Sequence, residues 1–138
     1  MNRDKDFEES FKEAKMVYLT TIDRQGKETT RPMTNYCDNP YEMIWFPTER
    51  KTKKVQDILI NPKVKILVPS KKKGFFYQIE GSAKLEDEEV VKNKWLWWYL
   101  TWRPTQSRWF WFPTGLEDNN RVIVNVYPEN FHLIEKRS

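Results

Sequence analysis

Residues 42–68 read EMIWFPTERKTKKVQDILINPKVKILV, in which two strand-like runs enclose a short helical pattern. The first run, EMIWF at 42–46, contains the aromatic and β-branched residues that strands favour. The second, KVKILV at 63–68, places alternate apolar residues on one face of a strand. Thr52 is well suited to cap the intervening helix and Asn61-Pro62 to end it. The apolar residues on one side of this helix are Val55, Ile58 and Leu59.

The sequence before this stretch predicts a short helix followed by a β-hairpin. Residues 4–15 carry apolar side chains at helical spacing, in a narrow stripe. MVYLTTI at 16–22 and the run 28–37 predict paired strands, and residues 23–27 (DRQGK) supply the turn between them. Pro32 lies inside the second strand and is expected to interrupt its ladder, because proline has no N–H to donate.

The rest of the chain adds further strands and one aromatic helix. The predicted elements are a basic turn at 71–74, strands at 75–85, 122–126 and 131–135, a helix at 87–100 and an irregular stretch at 102–120. Many short strands with few helices favour a mainly β, antiparallel barrel over a βαβ sheet. We therefore expect one domain over 1–138. Its parts are an N-terminal helix (1–15), barrel strands (16–86) with a helix at 52–61, an aromatic helix and loop (87–120) and the final strands (121–135).

Composition excludes several classes of active site. The 138 residues include one cysteine, Cys37, so neither an intrachain disulfide framework nor a cysteine-based zinc cluster can form. The one histidine, His132, excludes HExxH zinc sites and multi-histidine metal cages. The four glycines are too scattered for a GxGxxG or Walker A loop. Chemistry, if there is any, is expected from a bound cofactor.

The same composition suggests where the protein works. No run approaches the roughly 18 apolar residues of a membrane helix, and the first residues lack the apolar core of a secretory signal. We therefore expect a soluble, cytoplasmic protein that does not bind membranes.

A group of polar and basic residues at the start of the central helix is suited to bind phosphate. Thr52, Lys53 and Lys54 lie where the first helical N–H groups lack partners and the helix dipole is positive. Arg31, on a neighbouring strand, has a planar guanidinium that can hold phosphate oxygens through two hydrogen bonds. These four residues alone favour a simpler interpretation, a capped helix with two exposed lysines.

Three segments together suggest a family. The first is Thr20-Thr21-Ile22-Asp23 with Gly26 and Arg31-Pro32-Met33-Thr34. The second is Trp45-Phe46-Pro47-Thr48 with Thr52-Lys53-Lys54-Val55 and Asn61-Pro62-Lys63-Val64. The third is Trp111-Phe112-Pro113-Thr114-Gly115-Leu116-Glu117-Asp118. In this order and at these spacings, the chain resembles the split-barrel flavoproteins of the pyridoxamine 5′-phosphate oxidase-like superfamily, in particular its general stress protein 26-like branch.

The resemblance implies a homodimeric, six-stranded antiparallel split barrel with FMN at the subunit interface. Arg31, Thr52 and Lys54 would hold the phosphate, with Lys53 beside them, and the backbone of 33–34 and 46–48 would border the ring. The full implied cofactor set is Arg31, Pro32, Met33, Thr34, Phe46, Pro47, Thr48, Thr52, Lys53 and Lys54. This chain departs from the family at Pro47, where the family more often has a residue with an N–H, and at Glu49, which brings negative charge near the phosphate.

The implied function is that of an FMN-dependent oxidoreductase acting on an unidentified small molecule, with NAD(P)H as a possible source of electrons. Pyridoxamine 5′-phosphate oxidation itself is not expected, because this branch resembles that enzyme more in its cofactor site than in its substrate site. FAD, deazaflavin or haem binding on the same fold, or a non-catalytic flavin-binding or stress protein, stay open as alternatives.

Six of the seven tryptophans lie between residues 95 and 111. Such residues commonly pack in cores and interfaces. The more specific hypothesis is that Trp109, Trp111 and Phe112 cover the flavin site and select flat substrates.

A nucleic-acid-binding barrel is the rival hypothesis. Residues 71–77 (KKKGFFY) combine basic and aromatic side chains, as single-strand binders do. The run departs from the RNP1 pattern at Phe76 and Gln78, and a net charge of +4 is modest for this task. We therefore do not expect nucleic acid as a partner.

Overall fold

The computed structural model describes residues 3–86 and 121–135, which form two helices and six strands. In chain order these elements are α1 (Lys5–Glu13), β1 (Met16–Ile22), β2 (Glu28–Thr34), β3 (Ile44–Glu49), α2 (Lys53–Ile60), β4 (Lys63–Pro69), β5 (Phe75–Leu85) and β6 (Arg121–Glu135). The predicted helix at 87–100 and the predicted irregular stretch at 102–120 lie outside the described residues.

The six strands form one sheet in the order β2-β1-β4-β5-β6-β3, and every neighbouring pair is antiparallel. The sheet curls into a half-barrel, which leaves β2 and β3 as its two edges. The predicted antiparallel, mainly β architecture is therefore confirmed. The helices described here have nine and eight residues, and neither is long and apolar enough to cross a membrane.

Helix α1 covers one end of the half-barrel. Its start is capped by Asp4, whose carboxylate accepts a hydrogen bond of 3.0 Å from the Phe7 N–H. Its last carbonyls are bound by Asn35, which donates from Nδ2 to the Phe11 and Ala14 oxygens at 2.9 and 3.0 Å. Phe7 and Phe11 are fully buried, so the predicted apolar stripe faces the core.

Pro32 does not interrupt the ladder between β1 and β2, contrary to the sequence-based expectation. Asn35 N–H donates to the Lys15 oxygen, and this bond extends the β1–β2 register and fixes which residue pairs are hydrogen-bonded. Pairs alternate along an antiparallel ladder, so Pro32, opposite Tyr18, falls at a position whose backbone faces the free edge. Its missing N–H removes no bond, as is usual for proline on an edge strand.

The last two predicted strands, 122–126 and 131–135, are one continuous strand. Strand β6 runs over 15 residues and pairs with β5 through a bulge, where Glu80 opposes Asn130 and Gly81 opposes Pro128. The extra residue of the bulge absorbs the proline without ending the strand. A Cβ on Gly81 would lie 2.4 Å from the Tyr127 carbonyl oxygen, so the close approach of the two strands requires glycine here.

Replacing Gly81 by alanine is therefore expected to destabilise the protein by about 1–3 kcal/mol, because the new methyl group would collide with backbone that cannot rotate away. Chemical denaturation followed by circular dichroism measures this. The adjacent Ser82→Ala variant is the control, and its free energy of unfolding is expected to stay within about 0.5 kcal/mol of wild type. A Gly81→Ala protein as stable as the control would show that the bulge is not as tight as described.

Two strands have limits that differ from those predicted, and one helix has a different buried side. Strand β2 ends at Thr34, not at 37, because the Asn35 side chain accepts a hydrogen bond from the Cys37 N–H and turns the chain. Strand β3 covers Ile44–Glu49 where 42–46 was predicted. Helix α2 begins and ends as expected, but Leu59 is 63% exposed and the buried side of the helix includes Asp57 instead. The hydrogen bond between Thr21 and Asp57, described below, explains why the buried side of α2 differs from the predicted one.

Candidate functional site

A cavity of about 340 Å³ lies between the two edge strands of the half-barrel, beside the first turn of α2. We call this opening between β2 and β3 the seam. Its lining residues are Pro32, Met33, Thr34, Tyr36, Pro47, Thr48, Glu49, Thr52 and Lys54. The volume is at the lower end of the roughly 300–1,000 Å³ that is typical of small-molecule sites.

The structure brings together most of the residues that the sequence predicted for a cofactor site. Those that line the cavity are Pro32, Met33, Thr34, Pro47, Thr48, Thr52 and Lys54. Those that do not line it are Arg31, Phe46 and Lys53. The predicted substrate-pocket residues Trp109, Trp111 and Phe112 lie outside the described residues.

Lys54 gives one end of the cavity a positive charge. Partial burial lowers the pKa of its ammonium group, and the nearby Arg31 guanidinium lowers it further, while Glu49 acts in the opposite direction. Among the described residues, Lys54 forms neither a hydrogen bond nor an ion pair within the distance limits of such contacts. A half-buried lysine and an arginine held close together without a paired carboxylate form an arrangement that a bound anion would stabilise.

The first turn of α2 adds unsatisfied N–H groups to the same end. Thr52 occupies the N-cap position, as predicted, but its hydroxyl does not cap the helix. The hydroxyl instead donates to the Glu49 carbonyl oxygen at 2.9 Å. The first N–H groups of the helix therefore have no side-chain cap, and they combine with the helix dipole to favour an anion.

The three predicted residues that do not line the cavity have other positions. Arg31 is half-buried on β2 and donates from Nη1 to the Thr21 hydroxyl at 3.1 Å. Lys53 turns away from the cavity and pairs with the buried Asp57 at 3.1 Å. Phe46 is fully buried in the core, so only its backbone lies near the seam. Arg31 is thus near the end of the cavity that Lys54 lines, while Lys53 is paired with the carboxylate of Asp57.

Sequence reasoning missed Tyr36, which forms an aromatic wall of the cavity. Its ring is nearly parallel to the ring of Trp45, with centroids 5.9 Å apart. The side chain of the preceding Asn35, anchored to α1, fixes the loop that carries Tyr36. Its position two residues after the arginine-proline-methionine-threonine segment was the available signal, but the predicted extension of β2 to residue 37 gave it no distinct role.

Pro47 presents its backbone to the seam. Trp45 N–H donates to the Cys37 sulfur, on the side of β3 away from β6, and the Ile123 carbonyl accepts from Glu86, on the side of β6 away from β3. Alternation along the strand then points the Pro47 nitrogen at the free edge, where no ladder bond is lost. Pro32 has the same placement on β2. At both positions the seam has carbonyl acceptors but no N–H donor.

Lys54 is expected to reduce the stability of the ligand-free protein. Its pKa is lowered in the folded state, so the unfolded chain binds more protons between that value and the ordinary lysine value of about 10.4. Lys54→Met, which keeps the apolar stem, is therefore expected to raise the free energy of unfolding at neutral pH by up to about 1 kcal/mol.

Thermal melting of both proteins from neutral pH to about pH 10 tests this expectation. The difference should shrink as the pH rises and wild-type Lys54 loses its proton. A Lys54→Met protein that is clearly less stable than wild type at neutral pH would contradict this description of the charge.

The residues of the nucleic-acid hypothesis are used within the fold. Lys71 pairs with Glu9 at 3.0 Å, and Lys72 lies over the Phe75 ring at 4.6 Å. Tyr77 is 5% exposed, and its hydroxyl donates to Asp6 at 2.5 Å. Burial raises the pKa of Tyr77, and the hydrogen bond to Asp6 raises it further. This segment joins α1 to the sheet and offers no free stacking surface at Tyr77.

In residues 3–86 and 121–135, no three histidine, cysteine or acidic side chains are grouped so that they could hold a metal ion. His132 is exposed on β6. Cys37 is buried, in the loop after β2.

Comparison with known proteins shows the family of this chain. Residues 2–133 match the family model described as "Pyridoxamine 5′-phosphate oxidase like". General stress protein 26 of Bacillus subtilis (strain 168) is 32% identical over 123 residues, which cover 87% of this chain and 79% of that protein.

Solved structures with a similar fold include a reductase and an FMN-binding protein. An F420 reductase superposes with a TM-score of 0.68, with 20% identity over 94% of this chain and 98% of that one. A pyridoxamine 5′-phosphate oxidase-related, FMN-binding protein from Nostoc punctiforme PCC 73102 has a TM-score of 0.65, with 14% identity over 88% of this chain and 75% of that one. At these identities the likeness shows the split-barrel fold alone.

Proposed function

Because this chain belongs to the pyridoxamine 5′-phosphate oxidase-like family, we propose that its seam cavity binds FMN and that the protein is a flavin-dependent oxidoreductase acting on a small molecule. The observation that carries the proposal is the Lys54 ammonium group, with the Arg31 guanidinium near it, at one end of a cavity that Met33, Tyr36 and two prolines also line. A flavin mononucleotide has the matching division, with an anionic phosphate at one end and a flat ring at the other.

The residues of the site fit this group. Lys54 and Arg31 supply the positive charge, and the uncapped first turn of α2 supplies N–H donors for phosphate oxygens. Tyr36, Met33 and Pro47 supply flat or apolar surface for a ring. The seam-facing backbone of β2 and β3 supplies polar groups for the ring's edge.

Bound flavin would supply the hydride or electron transfer, while the chain binds, orients and shields it. Lys54 and Arg31 would fix the phosphate, and so the position of the whole cofactor along the seam. The Tyr36 ring, stacked against Trp45, would exclude water from one side of the ring. Pro47 would offer no hydrogen-bond donor, and Glu49 would bring negative charge, so neither would stabilise added electron density on a ring nearby.

A homodimer is part of the same proposal. The cavity opens between two unpaired sheet edges, and its volume is small for a site that must surround a three-ring system. A second copy of the chain would cover the exposed side of the ring and complete the site. Sedimentation equilibrium should give twice the 16.9 kDa of one chain, and a strictly monomeric protein saturated with FMN would contradict this part.

The first test of function is the absorbance spectrum of purified protein, before and after FMN is added and the excess is removed by desalting. We expect flavin bands to stay with the protein, and anaerobic NADPH or NADH to bleach them. A Soret band would replace FMN with haem, and selective retention of a deazaflavin would replace it with that cofactor. Retained flavin that dithionite reduces but neither NADH nor NADPH reduces would favour a non-catalytic flavin binder.

A cytoplasmic location belongs to this proposal too, because one cysteine in 138 residues cannot form the intrachain disulfides that are typical of secreted proteins.

A further inference from the structure

A buried hydroxyl and a buried carboxylate lie behind Arg31, on the side away from the cavity lining. Thr21 on β1 is fully buried, and Asp57 on α2 is 4% exposed. The Thr21 hydroxyl donates to Asp57 Oδ2 at 2.9 Å and accepts from Arg31 Nη1 at 3.1 Å. The three residues form one hydrogen-bonded chain from the guanidinium to the helix.

The chemistry of the hydroxyl fixes the direction of this chain. The Thr21 hydroxyl has a single proton, which it donates to the Asp57 carboxylate. The lone pairs of its oxygen therefore face the Arg31 donor. The order is therefore Arg31 to Thr21 to Asp57, with each bond reinforced by the charge at its end. Removing the hydroxyl would break both bonds.

The carboxylate of Asp57 is paired with Lys53, so the positive charge of Arg31 remains available to an anionic ligand. Lys53, one turn earlier on the same helix, donates from Nζ to Asp57 Oδ2 at 3.1 Å and to Oδ1 at 3.3 Å. A direct Arg31–Asp57 pair would occupy the guanidinium fork and neutralise it. Through Thr21, the carboxylate orients the guanidinium, and this bond occupies one of its five N–H donors within residues 3–86 and 121–135.

We infer that Thr21 and Asp57 are positioning residues, which hold the Arg31 guanidinium at the phosphate end of the cavity and so set how strongly the site prefers a phosphorylated ligand. This inference rests on the proposed phosphate site. It explains why an acidic residue occupies the buried side of α2, where Leu59 was expected.

The test compares FMN with riboflavin, which lacks the phosphate, in wild type and in Thr21→Val. The valine keeps the shape of the side chain and removes both hydrogen bonds. We expect the FMN-over-riboflavin affinity ratio to fall at least about fivefold, with riboflavin affinity little changed. In an Arg31→Ala background, Thr21→Val should lower the ratio no further, because the group that it positions is gone.

Thr20→Val is the matched control. Thr20 is the adjacent residue, 3% exposed, and its hydroxyl is also bonded to a side chain, at 2.6 Å from the Thr30 hydroxyl. Its side chain points to the opposite face of β1. The affinity ratio should stay within about twofold of wild type. A Thr21→Val protein that loses FMN and riboflavin affinity equally, or keeps the wild-type ratio, would overturn the positioning role.

Asp57→Asn provides a second variant if Thr21→Val does not fold, because its amide oxygen can still accept from Thr21 but carries no charge. The ratio should again fall, and an unchanged ratio would overturn the inference.

A readout without flavin separates this inference from the proposed function. Inorganic phosphate is titrated while the Arg31 Nε–H signal is followed by NMR. If wild type binds no FMN but phosphate shifts this signal, and does so more weakly in the variants, the FMN proposal fails and the positioning role stands. If phosphate shifts the signal equally in wild type and variants, or in neither, the positioning role is wrong.

Discussion

Replacing Lys54 by alanine should weaken FMN binding by about 1–3 kcal/mol, roughly five- to 150-fold, and Arg31→Ala should do the same. Each change removes a charged hydrogen-bond donor from the phosphate end of the seam cavity. Riboflavin affinity should change little, since it offers these residues no phosphate. The loss should grow at low ionic strength, where charges are less screened.

Flavin fluorescence titration at fixed pH and salt measures these affinities. Lys51→Ala is the control, because Lys51 is exposed, lies in the same basic segment and is not part of the cavity lining. It removes the same net charge, so any general electrostatic effect appears in it as well. FMN affinity at the wild-type level in both Lys54→Ala and Arg31→Ala would exclude the proposed phosphate site.

Replacing Phe7 by alanine should lower the free energy of unfolding by about 3–5 kcal/mol. Its ring is fully buried and stacks on Phe131, with centroids 4.0 Å apart and planes at 16°. It also meets the Tyr41 ring edge-on at 5.7 Å. Truncation would remove these contacts and leave a cavity between α1 and the sheet. The expected loss is a large fraction of the roughly 5–15 kcal/mol that stabilises a typical domain.

Urea denaturation followed by circular dichroism tests this value. Phe7→Leu should lose clearly less than the alanine variant, since it fills most of the volume. Leu59→Ala, on the exposed side of α2, should stay within about 0.5 kcal/mol of wild type. A Phe7→Ala protein nearly as stable as wild type would show that α1 is not part of the cooperative core.

Local sequence patterns were sufficient to predict most elements of the described fold. The turn at 23–27 is closed by Asp23, whose carboxylate accepts from the Gln25 and Lys27 N–H groups, and such turn chemistry is visible in the sequence. Strand 75–85 was predicted with its observed limits. Patterns of this kind depend on neighbours in the chain, so no tertiary information was needed.

The errors arise where a distant partner decides the outcome. The bulge that lets β6 continue past Pro128 depends on the close approach of Gly81 from β5. The exposure of Leu59 depends on the bond between Asp57 and Thr21, 36 residues earlier. Hydrophobic periodicity alone gives a leucine on that face and cannot show that a buried carboxylate replaces it.

The candidate site was predicted only in part, because distant partners also decide which side chains face the cavity. Family resemblance located the residues of β2 and β3 that line the seam, and the structure places Thr34 and Thr48 in one cavity. The resemblance placed Lys53 beside Lys54 at the phosphate. In the structure Lys54 lines the cavity, but Lys53 pairs with Asp57. Adjacent helical residues point in directions about 100° apart, and only the packed helix shows which one faces the seam.

The most direct test of the central claim is a titration of the purified protein with FMN and with riboflavin under identical conditions. We expect saturable binding of FMN, at least about tenfold tighter than that of riboflavin, because Lys54, Arg31 and the N-terminus of α2 would lie near its phosphate. Equal affinity for the two, or no binding of FMN, would contradict the assignment of the seam cavity as a flavin mononucleotide site.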